Sequence, residues 1–157
     1  MKKFSLTDLL IFMVSAELTG ALSALLSGGY SGLYSGIRNP PLSPPGWLFP
    51  IVWAVLYALM GVGAYLVYRN DDTGSDRKTA LGLYVIQLGV NFLWSIIFFR
   101  FRLFALAAFT AVVLAILVFA MLVSFRKVSR TAAAVNIPYL IWLIFAAYLS
   151  VGVWLLN

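Results

Sequence analysis

Long apolar runs separated by short polar segments dominate the chain. Each run is about 20 residues or longer, which is enough for a helix to cross the roughly 30 Å hydrocarbon core of a bilayer. None of the runs alternates between apolar and polar positions, as the strands of a membrane β-barrel do. The pattern predicts an all-α membrane protein with five transmembrane helices, near residues 6–27, 47–68, 80–99, 103–125 and 131–156.

The segments between the runs predict how the helices are arranged. The first connection, residues 28–46, is rich in Gly, Ser and Pro, and the other three are shorter. Helices joined by short links usually pack antiparallel to one another. We therefore expect one domain over residues 1–157, an up-down bundle of five helices. The proline-rich loop at 28–46 is expected to cross one end of the bundle as a rigid lid.

Composition supports the membrane class and removes several kinds of chemistry. Hydrophobic residues make up 63% of the 157 residues and charged residues 10%, and the mean hydropathy is +0.99. A soluble domain carries about 25% charged residues. Cysteine and histidine are absent, which excludes disulfides, thiolate nucleophiles and the usual zinc sites. We expect no metal site, no required cofactor and no conventional acid–base catalysis.

The net charge of +6 is explained by membrane topology, because the basic residues stand in small groups between the apolar runs. Eight of them precede the first run or lie in the second and fourth connections, and three lie in the remaining connections. Cytoplasmic loops of membrane proteins carry the excess of Lys and Arg. We expect a cell-membrane protein with a cytoplasmic N-terminus, with the proline-rich loop and the C-terminus on the opposite side, and with no nucleic-acid partner.

Polar and aromatic residues recur on one face of three predicted helices. The stripes are Trp53 and Tyr57 on the second helix, Tyr84, Gln87, Asn91 and Trp94 on the third, and Tyr139, Trp142, Ala146 and Leu149 on the fifth. Such residues either join helices through hydrogen bonds or line a cavity. Three helices that each present an inward indole predict a flat, aromatic-walled slot. A slot of this kind suits a planar hydrophobic ligand.

Glu17 lies midway along the first predicted helix. An ionised carboxylate facing lipid costs several kcal/mol, so the side chain is expected to face the bundle. Its helix face continues through Gly20 and Ala24, which permit close packing. Glu17 is either a ligand-contacting or proton-linked acid, or a hydrogen-bonding group between helices. We favour the second interpretation because no Lys or Arg lies within the apolar runs.

Two prolines bear on the geometry of the slot. Pro50 falls in the first turn of the second helix, where a missing N–H costs nothing, and it places Trp53 one turn deeper. Pro138 lies inside the fifth predicted helix. It removes one backbone hydrogen bond there and predicts a bend near the slot.

Several longer motifs occur in a fixed order: SPPGW at 43–47, VWAVLYALMG at 52–61, QLGVNFLWSIIFF at 87–99 and PYLIWLIFAAYLS at 138–150. With these motifs the chain resembles, from about residue 34 to residue 149, the translocator protein family. Its members are also called tryptophan-rich sensory proteins, TspO, or peripheral benzodiazepine receptors. The resemblance implies a five-helix bundle that often forms a homodimer. It also implies binding of porphyrins such as protoporphyrin IX and haem, of sterols, and of isoquinoline- or benzodiazepine-type molecules.

Carried over by position, the resemblance implies specific site residues. The ligand pocket would comprise Tyr34, Pro44, Trp53, Tyr57, Asn91, Trp94, Trp142, Ala146 and Leu149. Light-dependent oxidative breakdown of protoporphyrin is a second implied activity, with Trp53 and Trp142 as its catalytic residues. Leu42 stands where the family usually has tryptophan, and Asn39 where it has lysine, which leaves the loop contacts to a ligand open.

Several functions are consistent with the sequence. The leading hypothesis is a membrane receptor or sensor that binds porphyrins. The alternatives are a porphyrin-degrading photochemical enzyme, a tetrapyrrole or sterol transporter, and a purely structural role. A protein-dependent product spectrum under light would identify the enzyme. The sequence argues against the transporter because it shows no inverted repeat and no pair of broken helices.

Overall fold

The computed structural model describes residues 2–28, 36–71 and 74–157. Its helices are α1 (Leu6–Ser27), α2 (Leu48–Tyr68), α3 (Ser75–Ser95), α4 (Phe104–Val128), α5 (Arg130–Val135) and α6 (Ile137–Leu156). A π-helical turn, Ile96–Arg100, continues α3. Within the described ranges there are five spans that are long and apolar enough to cross a membrane, and no strand. The predicted all-α membrane fold is confirmed.

Helix α1 shows how local sequence sets its ends. The Ser5 side chain accepts a hydrogen bond from the backbone N–H of Asp8 at 3.2 Å, which satisfies one of the N–H groups that lack a partner within the helix. Asp8 also places a negative charge in the first turn, where the helix dipole favours it. The helix ends at Gly28, whose φ of 85° is the left-handed conformation that glycine adopts easily.

Helix α3 begins at Ser75, ahead of the start expected near residue 80. The additional turn carries Asp76, Arg77 and Lys78, which are too polar for the hydrocarbon core. The hydropathy pattern reports the part of a helix that lies in lipid. The helix itself continues into the polar region, where Asp76 in the first turn stabilises it.

The fifth span consists of two helices, α5 and α6, that meet at Asn136. Pro138 lies in the first turn of α6, where its missing N–H and fixed φ are tolerated. The Asn136 side chain donates hydrogen bonds to the carbonyl of Ala132 at 3.0 Å and to that of Leu59 on α2 at 3.4 Å. In place of the bend predicted from Pro138, the span has a break between α5 and α6. The buried side-chain amide of Asn136 links this break to α2.

The helices form a closed ring. Helix α1 packs along α2, α2 against α5, α5 and α6 against α4, α4 along α3, and α3 returns to α1. Gly61 marks a close approach of α1 and α2, because a Cβ there would lie 2.6 Å from the Cα of Met13. The ring encloses Trp53 and Tyr57 of α2, Trp94 of α3 and Tyr139 of α6, all of which are buried.

Backbone contacts bring the more basic connections to one end of the bundle. The N–H of Lys2 donates to the carbonyl of Arg69 at 2.9 Å, and the Asn70 side chain donates to the carbonyl of Val128 at 2.6 Å. The N-terminus, the connection after α2 and the connection after α4 therefore meet. This is the arrangement expected of an up-down bundle, and it gathers these basic groups at one end.

The described part of the proline-rich loop lies at the other end, against α6. The backbone of Arg38 exchanges two hydrogen bonds with the Asn157 side chain, each 2.9 Å long. The hydroxyl of Tyr148 donates to the carbonyl of Pro41 at 2.8 Å. We call residues 36–46 the lid, because these contacts hold it against α6 at this end of the bundle.

Candidate functional site

The predicted aromatic stripes of α2, α3 and α6 meet around Trp53. Its ring centroid lies 6.1 Å from that of Trp94 on α3, 6.4 Å from that of Tyr139 on α6 and 5.8 Å from that of Tyr57 on α2. The rings are tilted or edge-on, which is the arrangement that aromatic pairs prefer. All four side chains are buried. They form one aromatic cluster in the centre of the bundle.

A hydrogen-bonded chain of side chains lies beside this cluster. The Tyr139 hydroxyl donates to Gln87 Oε1 at 2.7 Å and accepts from Asn91 Nδ2 at 3.1 Å. Gln87 Nε2 is 3.5 Å from the Met60 sulfur. Buried polar groups in lipid need partners within the protein. Gln87 and Asn91 thus join α3 to α6, the helix-joining role that the sequence allowed for them.

Several buried polar atoms next to the cluster have no such partner. Among the described residues, the indole N–H groups of Trp53, Trp94 and Trp142 make no hydrogen bond, and neither does Asn91 Oδ1. An unsatisfied buried donor or acceptor costs roughly 1–3 kcal/mol. A ligand that satisfies these atoms recovers that free energy, which makes them candidate contacts for its polar groups.

A narrow cleft lies between the lid, α3 and α6. Its wall includes Asn39 and Ser43 of the lid, Trp94 of α3, and Ala146 and Leu149 of α6. Its volume is about 20 Å³, which holds about one water molecule. The cleft is closed in this structure, and a larger ligand requires the lid or α6 to move outward.

The predicted pocket residues do not all share this cleft. Trp142 lines a separate groove of about 520 Å³ between α2 and α6. Its ring lies 5.9 Å from that of Phe49 and 5.5 Å from that of Phe145. Trp53 and Tyr57 also line a groove toward α1. Trp53 and Trp142, the residues paired by the photochemical hypothesis, therefore line different grooves.

Two predicted positions belong to the proline-rich loop. Pro44 is half-buried in the lid, next to Ser43, whose side chain lines the cleft. Tyr34 lies outside the described residues. The loop residues that do reach the cleft are Asn39 and Ser43.

Sequence reasoning missed Phe98 and Phe99, which line the cleft beside Trp94. Their ring centroids lie 5.6 Å and 6.0 Å from that of Trp94. A regular helix would not turn both rings toward Trp94, but the π-helical turn is wider, and the N–H of Phe101 bonds to the carbonyl of Ile96 at 3.1 Å. Such turns are frequent at functional sites. The helical periodicity of the sequence does not predict this π-helical turn.

Comparison with known proteins extends over nearly the whole chain. The sequence model of the TspO/MBR family matches residues 9–155. Protein CrtK of Rhodobacter capsulatus is 34% identical over 153 residues, covering 98% of this chain and 94% of that protein. The translocator protein of Ovis aries is 36% identical over 121 residues, covering 75% and 70%. The tryptophan-rich protein TspO of Archaeoglobus fulgidus is 35% identical over 121 residues, covering 77% of each.

Proposed function

The chain belongs to the TspO/MBR family and is a multi-pass membrane protein, and from this premise we propose that it is a receptor or sensor for porphyrins such as protoporphyrin IX and haem. The ligand binds among the aromatic residues of α2, α3 and α6. The observation that carries the proposal is the buried pair Trp53 and Trp94, whose indole N–H groups have no partner among the described residues. Flat isoquinoline- and benzodiazepine-type molecules fit the same chemistry.

The polar groups of a porphyrin complement the unpaired atoms of the site. A porphyrin is a flat aromatic ring that offers its faces and edges to Trp53 and Trp94. Its propionate oxygens accept hydrogen bonds, as the indole N–H groups require. The surrounding wall of Phe98, Ala146 and Leu149 is apolar, which is typical of ligand pockets.

Binding requires the closed cleft to widen. The lid is held to α6 by a few hydrogen bonds through Tyr148 and Asn157, each contributing about 1 kcal/mol. Outward movement of the lid from α6 opens the cleft beside Trp94, so the lid controls entry of the ligand.

The test is a titration of the purified chain with protoporphyrin IX, followed by the absorbance of the porphyrin. The wild type should bind saturably, and the double variant Trp53→Phe/Trp94→Phe should bind about thirtyfold more weakly, because it lacks two hydrogen-bond donors worth about 1 kcal/mol each. The matched control is Trp47→Phe/Trp154→Phe, whose tryptophans are 67% and 48% exposed at helix ends. Equal affinity of the wild type and Trp53→Phe/Trp94→Phe would rule out this site.

A further inference from the structure

A second groove lies between α1 and α2, on the other side of Trp53 from the cleft. Its volume is about 200 Å³, and its floor is formed by Gly20, Trp53 and Tyr57. Ala21 and Ala54 line its rim and are exposed, so the groove opens toward the membrane. Gly20 is required here, because a Cβ at that position would overlap the Tyr57 ring.

One carboxyl group, that of Glu17, lines this apolar groove. It is half-buried. A carboxyl group offers acceptor positions on both of its oxygens. Trp53, which is 4% exposed, lines the same groove. An acid at this depth is costly unless something pairs with it.

We propose that this groove binds a lipophilic primary amine, with the nitrogen at Glu17 and the alkyl chain along Gly20, Ala24 and Ala54. The neutral amine reaches the groove through the membrane. The carboxyl O–H bond then breaks and an N–H bond forms, so the proton passes from Glu17 to the nitrogen and the pair stays neutral overall. The resulting ammonium–carboxylate contact is a charge-assisted hydrogen bond in apolar surroundings, where such bonds are strong.

This chemistry excludes close analogues of the amine. A quaternary ammonium has no lone pair to accept the proton and no N–H to donate, so it forms no charge-assisted hydrogen bond with Glu17 and has no neutral form in which to cross lipid. A fatty acid would place a second carboxyl group beside Glu17 and offers no basic nitrogen to accept the proton. An alcohol hydrogen-bonds but gains no charge-assisted contact. The groove should therefore select the amine among chains of equal length.

The test is isothermal titration of the full chain in detergent with decylamine, decyltrimethylammonium and decanol. Decylamine should bind saturably with one site and at least tenfold more tightly than either analogue. Glu17→Gln should weaken decylamine binding about tenfold and leave decanol binding unchanged. Asp8→Asn is the matched control, since Asp8 lies on the same helix outside the groove, and it should bind decylamine like the wild type.

Ala54→Leu provides a second variant that leaves the carboxyl intact and fills the groove, and it should also lose decylamine binding. If circular dichroism shows that Glu17→Gln does not fold, decylamine binding to Ala54→Leu tests the proposal instead. Equal decylamine affinity in the wild type and the folded variants would overturn the proposal, as would equal binding of the quaternary ammonium. A change of oligomeric state in Glu17→Gln with unaltered amine affinity would also overturn it, and would assign the groove to a contact between two copies of the chain.

Discussion

Among single residues, Trp53 lies between the aromatic cluster of the bundle and the groove beside α1. Its ring contacts Trp94 and Tyr139 on the inner side of the bundle and lines the groove beside Glu17 on the outer side. The indole N–H has no partner among the described residues. Trp53 is therefore placed to contact ligands from either side, and Pro50 at the start of α2 sets its depth in the bundle.

Trp94 and Trp142 should differ in their importance for porphyrin binding. Trp94 lines the cleft beneath the lid, whereas Trp142 lines the groove between α2 and α6. Trp94→Phe should lower the affinity for protoporphyrin IX several-fold, and Trp142→Phe should change it by less than twofold. Absorbance titrations of the two variants measure this difference. A larger loss in Trp142→Phe would place the ligand in the groove between α2 and α6 and not in the cleft.

Tyr139 should be more important for stability than its single hydroxyl suggests. Tyr139→Phe leaves Gln87 Oε1 and Asn91 Nδ2 without their hydrogen-bond partner, at roughly 1–3 kcal/mol for each buried group. We expect the free energy of unfolding in detergent to fall by about 2 kcal/mol or more. Thermal or denaturant unfolding followed by circular dichroism measures the change.

The control for this prediction is Tyr148→Phe, which removes a hydroxyl that bonds only the exposed lid. It should lower the free energy of unfolding by about 1 kcal/mol or less. Equal losses in the two variants would show that the buried chain of Gln87, Asn91 and Tyr139 adds nothing beyond one ordinary hydrogen bond.

At the scale of elements, the apolar runs predict the membrane spans well, because lipid requires about 20 apolar residues from every crossing helix. They do not predict where helices begin and end. Helix α3 begins at Ser75. The apolar pattern does not show this start, because the first turn of the helix is polar and lies outside the apolar core. The break at Asn136 depends on a hydrogen bond to Leu59 of another helix, and only Pro138 signals it in the sequence.

The same limits apply to the candidate site. Helical spacing grouped Trp53 and Tyr57 on α2 with Trp94 on α3, and these rings lie close together in the structure. Periodicity could not foresee the wide π-helical turn that brings Phe99 to Trp94. It also placed Trp142 in the shared slot, whereas this side chain lines another groove. The first difference arises from a departure from regular α-helix.

The lid should open more readily when its bond to α6 is removed. Tyr148→Phe loses the hydrogen bond from the hydroxyl to the carbonyl of Pro41, worth about 1 kcal/mol, which corresponds to roughly fivefold in the opening equilibrium. Protoporphyrin IX should associate several-fold faster with this variant in stopped-flow absorbance. Thr110→Val is the control, because the Thr110 hydroxyl bonds only within α4. Unchanged association kinetics in Tyr148→Phe would show that the lid does not limit entry.

At the scale of the whole molecule, the bundle has one strongly basic end, and we expect that end to face the cytoplasm. The absence of cysteine makes this easy to measure with single-cysteine variants. Leu42→Cys in the lid and Lys127→Cys after α4 both replace exposed side chains. A membrane-impermeant maleimide should label Leu42→Cys in intact cells and Lys127→Cys only after permeabilisation. The reverse pattern would invert the topology.

The ring of helices places two binding regions on opposite sides of one tryptophan. The cleft beneath the lid carries the proposed porphyrin site, and the groove with Glu17 carries the proposed amine site. Because the two differ in ligand chemistry and in lining residues, a variant in one groove should leave binding in the other largely intact. Trp53 is the exception, since it lines the α1–α2 groove and contacts Trp94 of the cleft.

The most direct measurement is an experimental structure of the chain with protoporphyrin IX bound. We predict that the macrocycle lies between α3, α6 and a displaced lid, in contact with Trp94, Ala146 and Leu149. We also expect an indole N–H of Trp53 or Trp94 to donate to the ligand. A macrocycle found only on the lipid-facing surface, with the cleft beside Trp94 still closed, would show that the protein does not bind porphyrin at this site.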